Sequence, residues 1–304
     1  MNRPARYLLA ALLAIAIVPV IITGSASAAT QVLTITPSTS RPTLQPGSSL
    51  SGSFQVINQG ESGYRLHLYT APYSVKTEDY TPDFEPLPGH PDVAGWLQLA
   101  PTQSTIKPDQ SITVHYTITV PAGTQPGGYY AVAFAETQAP KNGQGVIVNE
   151  RVGEIFYIQV TGPVRQTGKV LDWSSPFLQK SPLTATLRLE NDGGIDYRSA
   201  INISVRDLFG HTKYDLATQK AVLPQTIRRI PITWDKAPAL GLFKVTGTVT
   251  VFGKTQQLPT HYVLVAALPI RIIFLVLLVV LIAWLVGRFV VRRRSTKSVH
   301  PHKR

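Results

Sequence analysis

Few residues in this chain have a claim to chemistry. Ser104-Thr105-Ile106-Lys107 has the S-x-x-K spacing, in which a lysine one helical turn beyond a serine activates it for acyl transfer. That use requires a helix that starts at the serine, together with companion motifs. Here Pro108 follows directly, the surroundings read as a β-turn region, and no K-T-G occurs. The match is expected to be coincidental. Neither G-x-S-x-G nor H-E-x-x-H is present, and the seven histidines are scattered without ligand-like spacing. The chain has no cysteine, which excludes thiol nucleophiles, zinc–thiolate sites and disulfides. The expectation is a protein that is not an enzyme and carries no cofactor and no metal.

The stretch that stands out instead is Ala71 to Gly95, APYSVKTEDYTPDFEPLPGHPDVAG. It carries Glu78, Asp79, Asp83, Glu85 and Asp92, with Tyr73, Tyr80 and Phe84 between them. Loops this long inside a compact domain are uncommon and are usually functional or disordered. Two readings follow. Aromatic rings can stack on the apolar face of a sugar while carboxylates accept from its hydroxyls, which makes Tyr80, Asp83, Phe84 and Glu85 candidate ligand-binding residues. Alternatively the segment is a Pro-rich crossing packed over a sheet edge, with Tyr and Phe as anchors. A calcium loop is disfavoured, because the D-x-D-x-D-G spacing is missing. Trp96, Trp173 and Trp234 each border an apolar run and are expected to pack in cores or at edges.

The elements that must position these residues read as β throughout. Gln31–Thr36, Ser51–Ile57, Tyr64–Tyr69, Ile112–Val120, Tyr129–Glu136 and Glu154–Val160 alternate or are short apolar runs bounded by Gly, Pro and Asn. In Ile112–Val120 the apolar set Ile112, Val114, Tyr116, Ile118 and Val120 falls on one face. Thr161–Gly168 reads as a linker. Beyond it, Leu183–Glu190, Ala200–Asp207, Thr226–Trp234, Leu242–Phe252 and Gln256–Val265 repeat the pattern. Each half holds a strand ending in Asn-x-Gly followed by a Tyr-led strand, at Asn58-Gln-Gly60 with Tyr64 and at Asn191-Asp-Gly193 with Tyr197. Duplication of one unit explains this, and so does the common grammar of sandwiches. The fold class predicted is mainly β: two tandem Ig-like antiparallel β-sandwiches, residues 30–162 and 163–264.

Both ends point to a membrane. Met1–Ala29 has the layout of a signal peptide, with Arg3 and Arg6, an apolar Tyr7–Ile22 and an Ala26-Ser-Ala28 cleavage site. Whether it is cleaved or kept as an anchor, the bulk is exported. Ile272–Gly287 is an unbroken run of apolar or small residues, so residues 265–291 are predicted to form one transmembrane helix. The tail, 292–304, holds six Lys/Arg and no acid, which places it in the cytoplasm. The net charge of +12 misleads, because ten of the 29 Lys/Arg lie outside Ala29–Ile270, leaving 19 there against 17 Asp/Glu. The near-neutral exported part excludes a nucleic-acid partner.

From Gly95-Trp96-Leu-Gln-Leu99, through Ile106-Lys-Pro-Asp-Gln-Ser111-Ile-Thr-Val114 and Val120-Pro121, to Pro126-Gly-Gly-Tyr-Tyr130, the chain resembles the WxL-interacting protein family of bacterial surface proteins. The resemblance covers roughly residues 31–160, and beyond that rests on architecture. It implies a peptidoglycan-binding domain followed by a second, host-binding domain. It supplies no glycan-contact residues. The partners expected are a cell-wall polymer or surface protein, and the lipid bilayer through the C-terminal helix. The alternative expectation is a non-catalytic subunit of a larger envelope membrane complex.

Overall fold

Alternation in the sequence becomes strands with one face inward, and the strands close two sandwiches in series. The computed structural model describes residues 33–86, 88–89, 91–138 and 150–295. The expected signal segment and the tail from residue 296 lie outside the described residues. In the first sandwich one sheet runs β1 (Leu33–Thr36), β4 (Ser49–Asn58), β10 (Ser111–Thr119), β8 (Leu97–Ala100). The facing sheet runs β2 (Thr39–Ser40), β12 (Arg151–Val160), β11 (Gly127–Gln138), β5 (Tyr64–Pro72), β9 (Gln103–Ile106), with β3 (Thr43–Leu44) also on β12. Phe54, Val56, Leu66, Leu68, Val114, Ile118, Phe156 and Ile158 fill the space between them. On the outer face of the first sheet, hydroxyl pairs Ser49–Thr119 and Ser51–Thr117, each 3.0 Å apart, hold the register that the core residues demand.

The second sandwich pairs β13 (Gly168–Ser174), β15 (Leu183–Asn191) and β18 (Thr226–Trp234) against β14 (Leu178–Gln179), β20 (Lys254–Ala266), β19 (Leu240–Val251), β16 (Tyr197–Asp207) and β17 (Thr212–Val222). Its core is Leu183, Leu187, Leu189, Ile201, Ile203, Val245, Val249, Val263 and Val265. Trp96, Trp173 and Trp234 are buried as expected. The sheets are not wholly antiparallel. β2 and β3 run parallel to β12, and β14 runs parallel to β20. In each case a short segment switches sheets without reversing, and so meets a strand of the same direction.

The repeated Asn-x-Gly element is the same device in both halves. Asn58 and Asn191 are fully buried at the ends of β4 and β15. Each side-chain oxygen accepts from the backbone N–H two residues on, Gly60 at 3.0 Å and Gly193 at 2.9 Å. Each Nδ2 donates to the carbonyl four residues on and to one distant carbonyl. The acceptors are Ser62 and Lys107 in the first sandwich, and Ile195 and Val222 in the second. One side chain thus fixes a turn and stitches it to another segment, satisfying backbone groups that burial would otherwise leave unpaired.

Three boundaries differ from expectation. The segment expected as a linker is stitched to both halves: Thr161 N–H donates to Leu44 O, Gly194 N–H to Arg165 O and Asp192 N–H to Thr167 O, all at 2.9 Å. The last strand continues to Ala266, with Val265 and Ala266 buried in the second core and not in a helix. The C-terminal helix, α1, is Leu268–Ser295, 28 residues, so it starts later and ends later than 265–291. Its side chains are described at residues 272–273, 275–286 and 288. Among the described residues no helix is long and apolar enough to cross a membrane. The span expected at 265–291 is therefore not established by them.

Candidate functional site

The insertion between β5 and β8 folds back on its own sandwich. Within it β6 (Ser74–Val75) and β7 (Pro82–Asp83) form a small antiparallel hairpin, and Ala94–Trp96 makes one 3-10 turn. Phe84 lies edge-on to Phe134 of β11 at 4.9 Å between ring centroids, and the Arg151 guanidinium sits 4.3 Å over the Phe134 ring and 5.3 Å over Phe84. The outer face of β11 is thereby covered, which explains why Val132 and Phe134 are buried although they point away from the core between the sheets. Gly153, on the neighbouring β12, leaves the room that Phe134 occupies, since a Cβ there would lie 2.9 Å from its ring.

The tip of the insertion reaches the second sandwich. Tyr80 is buried, with φ +60°, and its hydroxyl accepts from Leu223 N–H at 2.8 Å and lies 2.6 Å from Thr226 Oγ1. Thr226 Oγ1 itself donates to Leu223 O, so the phenol is the donor in the Tyr80–Thr226 bond. The Arg228 guanidinium stacks 4.1 Å over the Tyr80 ring. Glu78 takes a bidentate pair from Arg188, Nε at 2.8 Å and Nη2 at 2.5 Å, and its carbonyl accepts from Arg229 N–H at 2.7 Å. The Arg188 contact holds the Glu78 carboxyl below its usual range. A second set of contacts lies beside the first. Tyr130 Oη donates to Asp196 Oδ1 at 3.1 Å and accepts from Asp196 N–H at 3.0 Å, while Arg41 pairs with Asp196 at 2.6 Å and stacks 4.0 Å over Tyr157. Gly128 N–H donates to Gly194 O at 2.9 Å, and a Cβ on Gly128 would clash with the Tyr130 phenol, 2.9 Å from its Cζ, and so displace the ring that reaches Asp196. The Gly-Gly-Tyr-Tyr start of β11 is thus where the two sandwiches touch.

These contacts sort the four predicted binding residues. Tyr80 and Phe84 are anchors whose rings are spent on protein. Asp83 is buried and paired with Lys76 at 3.0 Å, which keeps its carboxyl low. Glu85 alone is exposed and lines an open pocket of about 430 Å³ at the junction. The walls of the pocket are Tyr73, Tyr129 and Tyr130 with Pro86 and Pro91, its second carboxylate is Asp92, and the floor comes from Leu223 to Thr226 of the second sandwich. Tyr129 packs against Trp96 in a tilted arrangement, 4.8 Å between ring centroids, which fixes its ring in the wall. Among the described residues no Lys or Arg lines the pocket. The arrangement suits a ligand with apolar faces and several N–H or O–H donors, in the size range of small-ligand sites. Tyr73, Tyr129 and Asp92 were visible in the sequence, but Gln225 and Thr226 could be found only from the fold. Ser104 lies in strand β9, with Lys107 just past its end, so the S-x-x-K helix geometry is not formed. Among the described residues no three His, Asp or Glu side chains converge as a metal site.

The architecture defined here is a tandem Ig-like β-sandwich with a junction pocket and a C-terminal helix. No family model and no curated protein matches the chain. Among solved structures it is similar to the YadV chaperone, with 12% identity over 76% of this chain and 100% of that one and a TM-score of 0.40. It is also similar to the class 5 fimbriae chaperone CfaA, at 13% identity over 78% and 100% with a TM-score of 0.39. A third is the CsuC–CsuE chaperone–tip adhesion subunit complex of Acinetobacter baumannii, at 12% identity over 76% and 97% with a TM-score of 0.39.

Proposed function

We propose that this protein is a non-catalytic, single-span bacterial envelope protein. Its two sandwiches stand outside the membrane as one body and bind cell-wall peptidoglycan at the junction pocket. The observation that carries the binding role is the pocket itself: tyrosine and proline walls and the exposed carboxylates Glu85 and Asp92, with no Lys or Arg among its described lining residues. Amino sugars and short peptides offer the stacking faces and donors that such a lining accepts. The resemblance to the WxL-interacting family supports the same ligand class. Anchoring is supported by α1. Its sequence carries the unbroken apolar run Ile272–Gly287, followed by a basic tail. Its described apolar side chains, from Ile272 to Val286, are 50–61% exposed on every face and so are packed against neither sandwich.

A second reading, a subunit of a larger envelope complex, is favoured by β17. This eleven-residue strand is the outer edge of its sheet, and an edge offers unpaired backbone groups to a protein partner. The test is co-sedimentation of the detergent-solubilised full chain with insoluble peptidoglycan, beside the exposed double variant Glu85→Gln/Asp92→Asn. Sedimentation of the parent, reduced several-fold in the variant, supports wall binding at this pocket. A folded parent that stays in the supernatant overturns wall binding, and partners co-purifying through the β17 edge then become the better account.

A further inference from the structure

The end of the second sandwich nearest α1 is unusually apolar. β20 runs toward α1 and ends at Ala266, two residues before the helix starts. Register places three other turns at that same end. Leu178 pairs with Leu264, Leu240 pairs with Ala266, and Asp207 pairs with Phe243, which in turn pairs with Val263. At ~3.3 Å per residue the turn after Asp207 therefore reaches the level of Val265–Ala266. Outside α1, eight large apolar side chains are exposed among the described residues. Five of them, Phe177, Leu178, Leu208, Phe209 and Leu240, sit on these turns, with Phe209 at 86% exposure. Scattered surface hydrophobics would not gather at one end.

The charges there fit the same picture. Lys180 and Lys236 are exposed on the flanking loops. Of the acids at this end, Asp207 is occupied by Lys213 at 3.1 Å and His211 at 3.2 Å, and it also accepts from Phe209 N–H at 2.9 Å. Asp207 thus holds the Leu208-Phe209 tip in place. Asp235 is exposed next to Lys236.

We propose that this end is a membrane-docking face: Phe177, Leu178, Leu208, Phe209 and Leu240 enter the headgroup layer of the leaflet from which α1 descends, while Lys180 and Lys236 meet anionic headgroups. Aromatic and leucine side chains with flanking lysines are what binds at a lipid interface. Docking gives the two-sandwich body a fixed tilt on the bilayer, which a single helix and a one-residue connection do not. The inference rests on α1 spanning the membrane, and the test separates the two.

The parent has no cysteine, so single substitutions Leu208→Cys, Leu278→Cys and Glu61→Cys in the full chain can each carry an environment-sensitive fluorophore. The protein is placed in vesicles of phosphatidylcholine and phosphatidylglycerol in equal parts, with nitroxide-bearing lipid as quencher. Strong quenching at 278, several-fold more quenching at 208 than at 61, and loss of the signal at 208 when Phe177→Ser and Phe209→Ser are added would support docking. Quenching at 278 with none at 208 overturns docking alone. No quenching at 278 overturns the spanning reading and docking with it. A blue-shifted but unquenched label at 208 means a protein contact and also overturns the lipid face.

Discussion

Glu154 is a carboxylate in an environment its charged form disfavours. It lies on the inward face of β12, fully buried. Its Oε1 accepts from the Ser40 hydroxyl, and its Oε2 has no hydrogen-bond partner. Burial pushes its carboxyl up to about 7, and the Ser40 hydrogen bond only partly offsets this. The unfolded value is ~4.3. Between these two values the folded chain holds a proton that the unfolded chain has released. Stability is therefore highest below the unfolded value and falls as pH rises through the folded one, by up to about 4 kcal/mol. Glu154→Gln keeps the shape and a Ser40 partner without the charge. Its denaturation midpoint is expected to match the parent near pH 4 and exceed it at pH 8, and parallel midpoints across that range would refute the assignment. Asn58 and Asn191 supply a second residue-scale case. Replacing either with Ala strips two carbonyls and one N–H of their partners, at a cost of about 2–3 kcal/mol for Asn191, whose acceptors are buried, and less for Asn58, whose acceptors lie on exposed residues. If the element is the same device in both halves, hydrogen exchange will show Asn58→Ala loosening only the first sandwich and Asn191→Ala only the second.

At the scale of elements the insertion is the informative piece. Phe84 and Tyr73 pack its hairpin over the outer face of β11. Phe84→Ala should cost about 1–3 kcal/mol, the lower part of the range for buried aromatics because Phe84 is only half-buried. It should also speed proteolytic cleavage between residues 85 and 92, with an unchanged cleavage rate counting against the packing role. Strands such as β10 could be read from the sequence because their alternation is local and strict. β17 could not, because an outer strand with one exposed face alternates weakly, with Lys213, Thr218 and Lys220 among its residues. The meaning of the insertion was also out of reach. The residue types were evident, but the partners that decide their use are 110 residues away for Glu78 and 146 for Tyr80. Of the four residues read as a site, Glu85 alone faces the pocket. The other three contact protein, and composition could not show it, because an aromatic or acid that anchors a loop has the same composition as one that binds a sugar.

For the whole molecule, the two sets of junction contacts determine how the sandwiches move together. Glu78 and Tyr80 from the insertion grip β15, the Leu223–Thr226 turn and β18, while Arg41 and Tyr130 grip Asp196 beside them. Two separated attachments resist rotation in a way that one linker of seven residues, 161–167, cannot. A pocket built from both sandwiches needs that rigidity, since a hinge at the junction would open its floor, and ligand affinity is reduced by the fraction of time the pocket is unformed. The absence of cysteine allows a direct measurement through the pair Glu61→Cys and Lys236→Cys, exposed sites in the first and second sandwiches. Spin labels there should give one narrow distance distribution in the parent. Tyr80→Phe removes the hydroxyl that joins Thr226 and Leu223, a loss of about 1–2 kcal/mol, and with Glu78→Ala it should broaden that distribution and weaken any pocket ligand several-fold while each sandwich stays folded. A distribution already broad in the parent, or unchanged by both substitutions, would mean that the insertion covers its own sheet without fixing the second sandwich.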